Sequence, residues 1–339
     1  MRRAKRALIT GVNGQDGSYL AEHLVTMGYQ VCGVVRRSST NNRDNLTNLL
    51  DSPEFTLAEA DMTDGPAIRH MIADFQPDEI YNLAAQTFVQ ASWDMPAHTI
   101  ETNLFGLLHL LEAVRFDCPN ARVYQASSSE MYGNTPGPLD ENSPMIPRSP
   151  YGVSKLAAHR LARVYRESYG MFVACGICFN HESPRRGPVF VTRKIAQGVA
   201  AIKTGKIGVI HLGNLDARRD WGHALDFVRA MHMMVQAPKP ADWVVATGIA
   251  HTVREFVEAA VRHAGLPGDP MDYVQTDPGL IRPAEIHDLV GNPSLLRLGL
   301  GWKPLLDFDR LVRDMVHAEF IRARLNLPTP SEGRNLEIR

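Results

Sequence analysis

A glycine-punctuated turn near the start constrains this chain most. The apolar run Ala7–Thr10 leads straight into GVNGQDG, with glycines at 11, 14 and 17, and a helical pattern follows. Glycine permits a tight turn and a close backbone approach. The helix behind it offers unpaired N–H groups to an anion. At the head of a strand–helix–strand unit, this spacing points to a dinucleotide pyrophosphate rather than to a plain turn. Gly11, Asn13, Gly14, Gln15, Asp16 and Gly17 are therefore candidates for cofactor binding.

The pattern beyond the turn alternates. Gln30–Val35, Phe55–Ala60, Ile80–Ala85, Val123–Ala126 and Phe172–Phe179 read as buried strands. Tyr19–Met27, Ile68–Phe75, Leu104–Val114 and Tyr151–Tyr169 read as helices between them. Such alternation predicts an α/β fold: a doubly wound, Rossmann-type parallel sheet with helices on both faces. After Asn180 prolines and glycines interrupt the pattern, and only shorter elements fit, with helices near Val253–Ala264 and Leu305–Ala323. The expected organisation is a nucleotide-binding lobe over 1–179, to which some later segments return. A smaller, partly discontinuous substrate lobe covers 180–325, and a polar tail covers 326–339. A ligand cleft lies between the lobes.

Arg36 and Arg37 follow the second strand. A carboxylate there would accept from a ribose 2′-hydroxyl, whereas arginines suit a 2′-phosphate through bidentate contacts. NADP is thus favoured over NAD; the alternative is a solvated basic corner. Asp61 and Met62, past the third strand, are placed to meet the adenine. Leu83, Ala84, Ala85 and Gln86, at the end of the fourth, are placed to let a cofactor lie against the backbone.

Tyr151 and Lys155 are spaced i, i+4 at the head of the long helix and share a face. An ammonium beside a phenol favours the phenolate, a general base for a hydroxyl proton. Ser128, in the preceding SSSEMYG segment, is placed to hydrogen-bond the reacting oxygen, and Glu130 to act as a second acid or base. Ser127-x-x-Glu130 also satisfies a helix capping box, so a structural role for Glu130 stays open.

The segments GVNGQDGSYL, YNLAAQ, SSSEMYG, YGVSK, NHESPRRG, FVTRKI, LGNLDARRDWG and RPAEI, in this order over residues 6–320, carry a resemblance. The chain resembles the GDP-mannose 4,6-dehydratase family of the extended short-chain dehydrogenase/reductases. The resemblance implies a lyase that holds NADP without net redox change. Tyr151 takes the sugar 4-hydroxyl proton while the C4 hydride passes to NADP. Glu130 removes the acidified C5 proton and protonates the departing 6-hydroxyl, and the hydride returns to C6 with reprotonation at C5. It also implies that Lys155, His181 and Arg186 contact the cofactor. Asn180, Lys194, Arg219, Arg282 and Glu285 line the GDP-sugar site. A dimer or tetramer is expected, with Arg36–Arg43 reaching a neighbour's cofactor site. One departure is Ser128, where the family usually has Thr. The smaller side chain leaves room for a larger sugar, so a GDP-manno-heptose dehydratase is an alternative. A 4-epimerase or 4-keto reductase, or a silent NADP-binding protein, are further rivals.

Composition narrows the partners. The 339 residues carry 36 Lys and Arg against 37 Asp and Glu, a net charge of −1. Such a balance offers no general field for nucleic acid or anionic lipid. No apolar run approaches the roughly 18–20 residues of a membrane span. The basic, then apolar start reads as a first strand rather than a signal peptide. Four cysteines, at 32, 118, 175 and 178, read as reduced buried thiols in a cytoplasmic protein. Cys175 and Cys178 point to opposite faces of one strand, and His181 and His223 lack further ligands, so no metal is expected. Met231, Met233 and Met234 read as core.

Overall fold

The computed structural model describes residues 3–39, 42–280 and 286–324. Seven parallel strands form the main sheet: β1 (Arg6–Thr10), β2 (Gln30–Val35), β3 (Phe55–Glu59), β4 (Glu79–Asn82), β5 (Arg122–Ser128), β6 (Val173–Cys178) and a late strand, Asp242–Val245. Their order is β3-β2-β1-β4-β5-β6 followed by the late strand. The direction of winding reverses between β1 and β4. Ligands of doubly wound sheets bind above the strand ends at this point.

Between β6 and the late strand run β7 (Asn180–Glu182), β8 (Ile210–Leu212) and β9 (Arg218–His223). The late strand is therefore β10, and Ala250–Thr252, Val274–Thr276 and Asp288–Leu289 are β11, β12 and β13. β9 pairs with β7, β11 and β13, while β8 pairs with β12. This smaller part closes its own core with the helices Val191–Lys203, Val253–Ala264 and Phe308–Arg324, around Phe256, Trp221 and Met315. Chain from beyond residue 180 returns to the large sheet as β10 and the helix Ala224–Gln236. Met231 and Met234 of that helix are buried in the core.

Local chemistry accounts for the elements that reach the site. The helix Gln15–Thr26 starts four residues before the expected Tyr19, because Gly14 is itself its N-cap. No side chain caps this end, so its N–H groups stay available. β4 stops at Asn82, short of the expected Ala85. The N–H groups of Leu83 and Ala84 donate to the Thr10 hydroxyl, both at 3.0 Å, rather than to a neighbouring strand. The helix Pro150–Tyr169 is bounded by local signals: Ser149 accepts from the Gly152 N–H at 3.0 Å, proline takes the first position, and Gly170 ends it with φ 65°.

His223 caps the helix Ala224–Gln236: its Nδ1 accepts the Leu225 N–H at 3.1 Å, which requires a neutral ring. Burial pushes the imidazole down to about 4. The unfolded chain binds this proton from about pH 6.5 downward, and the folded chain only near pH 4. Stability is therefore full above that window and falls as pH drops through it, by about 3 kcal/mol at its foot. Urea midpoints near about pH 7 and about pH 4.5 should show a smaller acid loss in His223→Asn, which keeps a capping side chain. Equal acid losses in both proteins would contradict the assignment.

Candidate active site

Two clefts meet above the sheet. The first, of about 790 Å³, lies over the β1–β4 reversal and is lined by Gly11, Asn13, Gly14, Gln15, Asp16, Gly17, Arg36, Asp61, Met62, Leu83, Ala84, Ala85, Gln86 and Arg186. Thus most of the residues singled out for a cofactor share one wall. Gly11 has φ +66°, and a Cβ there would stand 2.9 Å from the Ala84 backbone; a Cβ at Gly17 would stand 2.5 Å from the Gly11 carbonyl. Neither position admits a side chain, so the turn stays tight beneath the cleft, and the uncapped helix end behind it suits a pyrophosphate. Asp61 sits beside Arg36. Burial opposes its ionisation, but hydrogen bonds from Thr63 and the Arg36 charge hold the carboxyl below its ordinary range.

Three of the expected cofactor residues stand off this wall. Arg37 is exposed and outside the lining. Lys155 is buried behind it, with Nζ donating to the Ala126 carbonyl at 3.0 Å. His181 stacks on Phe227 at 4.4 Å, and its Nε2 lies 2.7 Å from Asp16. Burial works against the charged imidazole, yet the Asp16 carboxylate wins and raises its pKa. For Asp16, burial is again opposed and outweighed by His181.

The second cleft, of about 320 Å³, is lined by Glu130, Asn180, Arg186, Lys194 and Arg219, among others. Arg186 is shared by both clefts. Its guanidinium stacks on Phe190 at 3.5 Å and lies 3.0 Å from Glu182. Arg282 and Glu285 lie outside the described residues.

Tyr151 lies within electrostatic reach of the cleft residues Glu130 and Arg186, with Ser128 and Lys155 beside it; none of these three lines either cleft. Ser128 is hydrogen-bonded to Tyr151, and the Lys155 Nζ is 5.9 Å from the tyrosine ring centroid. Glu130 follows on a short 3₁₀ turn, Ser129–Met131, and its N–H donates to the Ser128 hydroxyl at 3.2 Å. The absence of a side chain at Gly152 lets the long helix seat against the Glu130 carbonyl, 2.8 Å from where a Cβ would be. Two expectations need correction. Ser127 forms no capping box with Glu130: its hydroxyl pairs with His159 Nδ1 at 2.9 Å, and Ser128 caps the turn instead. Nor does the ammonium favour the phenolate here. Burial pushes Tyr151 up to about 12 and Lys155 down to about 8, so both are driven toward their uncharged forms.

His159, Cys175 and Asp242 bring possible metal-ligand atoms within 4.8 Å of one another. Arg166 already supplies the cation there, donating to Asp242 at 2.5 Å and lying 3.6 Å from the Cys175 sulfur. Cys175 and Cys178 pack into different cores, on opposite faces of β6.

The family model described as GDP-mannose 4,6 dehydratase matches residues 8–315. The chain belongs to the GDP-mannose 4,6-dehydratase family. It is 47% identical over 330 residues to GDP-mannose 4,6 dehydratase 2 of Arabidopsis thaliana, covering 94% of this chain and 88% of that protein. It is 44% identical over 345 residues to the human GDP-mannose 4,6 dehydratase, covering 94% and 92%. Among solved structures, a UDP-glucose 4-epimerase of Thermus thermophilus in complex with NAD superposes with a TM-score of 0.81 at 27% identity, covering 93% of this chain and 98% of that one.

This member of the dehydratase family also holds site residues that sequence reasoning missed. Asn103 lies on a π-helical segment, Glu101–Phe105, before the helix Gly106–Asp117. Its side chain accepts from the Gln86 N–H at 2.9 Å and donates to the Gln86 carbonyl and the Ser154 hydroxyl. It ties the first cleft, through Gln86, to the helix bearing Tyr151. Phe88, Gln90 and Trp221 line the second cleft, with no local pattern to mark them.

Proposed function

We propose that this protein converts GDP-mannose to GDP-4-keto-6-deoxymannose and water, using NADP held in the first cleft. The observation that carries this reading is the grouping of Ser128, Tyr151 and Lys155 beside Glu130 and Arg186, which line a second, cationic cleft, in a chain of this family. Bound there, a nicotinamide supplies the hydride acceptor, its later donor, and a positive ring charge that favours the Tyr151 phenolate against burial. Tyr151 takes the 4-hydroxyl proton, with Ser128 orienting the same oxygen. The resulting ketone acidifies C5–H. Glu130 takes that proton and delivers one to the departing 6-hydroxyl, so one carboxyl serves as base and then acid. C6 then gains the hydride and C5 a proton that exchanges with solvent, which balances the one Tyr151 first took. Asn180, Lys194 and Arg219 hold the GDP-sugar, their cations against the diphosphate. The experiment is incubation of the protein with GDP-mannose and NADP, with loss of one water read by mass spectrometry.

Arg36 carries the preference for NADP, by contact with the 2′-phosphate. Arg36→Ala should weaken NADP by roughly 10- to 100-fold, the worth of a charge-assisted contact, and leave NAD within about 3-fold. Equal weakening of both, by calorimetry, would contradict this role. The proposal includes a homotetramer, with the Arg36–Arg43 segment, of which residues 40 and 41 lie outside the described ones, contributing to the contact; a monomer mass by light scattering excludes it. The four cysteines are buried and free, which supports a cytoplasmic setting. No helix among the described residues is long and apolar enough to cross a membrane.

A further inference from the structure

We infer that Arg193, Glu319 and Arg322 form a buried clamp whose task is to hold Arg186 at the junction of the two clefts; this rests on reading those clefts as cofactor and GDP-sugar sites. Arg186 sits on an irregular loop between β7 and the helix Val191–Lys203. The backbone of that loop is held from beneath. Arg193 Nη1 donates to the Pro184 carbonyl at 2.6 Å and to the carbonyl of Arg186 itself at 2.8 Å. The Arg193 Nε faces Glu319 in an ion pair. Arg322 donates to the same carboxylate at 2.6 Å, and its other terminal nitrogen donates to Pro184 at 3.1 Å. Arg193 is fully buried, and the side chains of Glu319 and Arg322 are 6% and 5% exposed.

A second fastening works from the opposite side. The neighbouring Arg185 donates to Glu22 at 2.7 Å and to the Ser18 hydroxyl at 3.1 Å, and lies over the Tyr19 ring. Those three partners belong to the helix behind the glycine turn. The loop is thus pinned between the cofactor helix and the last described helix, Phe308–Arg324. With its backbone fixed twice, Arg186 keeps only side-chain freedom, and its Phe190 stack and Glu182 pair restrict that.

Charge explains why the clamp is sensitive. Two guanidinium groups share one carboxylate, and loop carbonyls take donors that the carboxylate does not. Glu319→Gln leaves two buried like charges without a counterion, which is strongly unfavourable. They should separate, and the loop carbonyls they hold should move with them. Arg322→Met instead leaves a balanced Arg193–Glu319 pair. These three are positioning residues, since none lines either cleft.

The test uses the full chain. Folded wild type, Glu319→Gln and Arg322→Met are titrated with NADP and with GDP by calorimetry, and KM and kcat are measured with GDP-mannose. Glu319→Gln should weaken both ligands and raise KM by about 10-fold, the equivalent of one lost charge-assisted contact, with kcat within about 3-fold. Arg322→Met should cost no more than about 3-fold, and Arg186→Ala should remove the effect of Glu319→Gln, because the two act through one contact. Should Glu319→Gln fail to fold, Arg193→Lys keeps the charge and loses the fork that reaches the Pro184 and Arg186 carbonyls. It should then weaken both ligands about 10-fold. Unchanged affinities with only a lowered melting temperature, or a fall confined to kcat, would overturn the clamp. A wild type that binds neither NADP nor GDP overturns the underlying reading of the clefts instead.

Discussion

Glu130→Gln is expected to lower the rate of water loss from GDP-mannose by roughly 10²- to 10⁴-fold, the worth of a positioned acid–base group. The amide keeps the size and the position on the Ser129–Met131 turn, but it neither takes the C5 proton nor gives one to the leaving hydroxyl. The isotope record separates this from a binding defect. In heavy water the wild type should place one deuterium at C5 of the product. Substrate recovered from Glu130→Gln should carry none, while its affinity for GDP stays as in the wild type. Tyr151→Phe should lower the rate by a similar factor for a different reason: the 4-hydroxyl keeps its proton, and no ketone forms to acidify C5. If Glu130→Gln turns over within about 10-fold of wild type, its role is structural and some other group handles the C5 proton.

Gly17→Ala should have the second large effect. A Cβ at residue 17 would stand 2.5 Å from the Gly11 carbonyl and 2.6 Å from the Val12 Cα, both backbone atoms that cannot swing aside. The turn must open to admit the methyl group. That costs about 1–3 kcal/mol as overpacking and displaces the N–H groups that face the first cleft. The variant should melt earlier and bind NADP at least about 10-fold more weakly. Gly28→Ala provides the comparison. Its φ of +80° is strained for alanine, but nothing lies within 4 Å of the added Cβ and it is remote from the cleft. It should lose stability and keep NADP affinity. Equal NADP affinity in Gly17→Ala and wild type would remove the turn from the cofactor site.

Much of this was readable from residue order, because the deciding signals are local. Glycines at 11, 14 and 17 between a strand and a helix mark the turn. Ser149, Pro150 and Gly170 mark the ends of the helix carrying Tyr151 and Lys155. What was not readable depends on partners distant in sequence. The end of β4 is set by the Thr10 hydroxyl on another strand. Ser127 chooses His159 over Glu130 because the long helix packs onto β5. The phenol and ammonium respond to burial, which the i, i+4 spacing does not contain. β7, β8 and β11 to β13 are two or three residues long, too short for any periodicity to show. Asn103 announces nothing by itself, and its role emerges only where Gln86 and Ser154 meet it.

In the proposed reaction the hydride that leaves C4 returns to C6 of the same sugar. A mass spectrum of the sugar nucleotide after incubation with GDP-mannose deuterated at C4 tests this. Loss of one water is expected, with the C4 deuterium retained in the product at C6. A product without water loss, or one from which the deuterium has vanished into solvent, would contradict it.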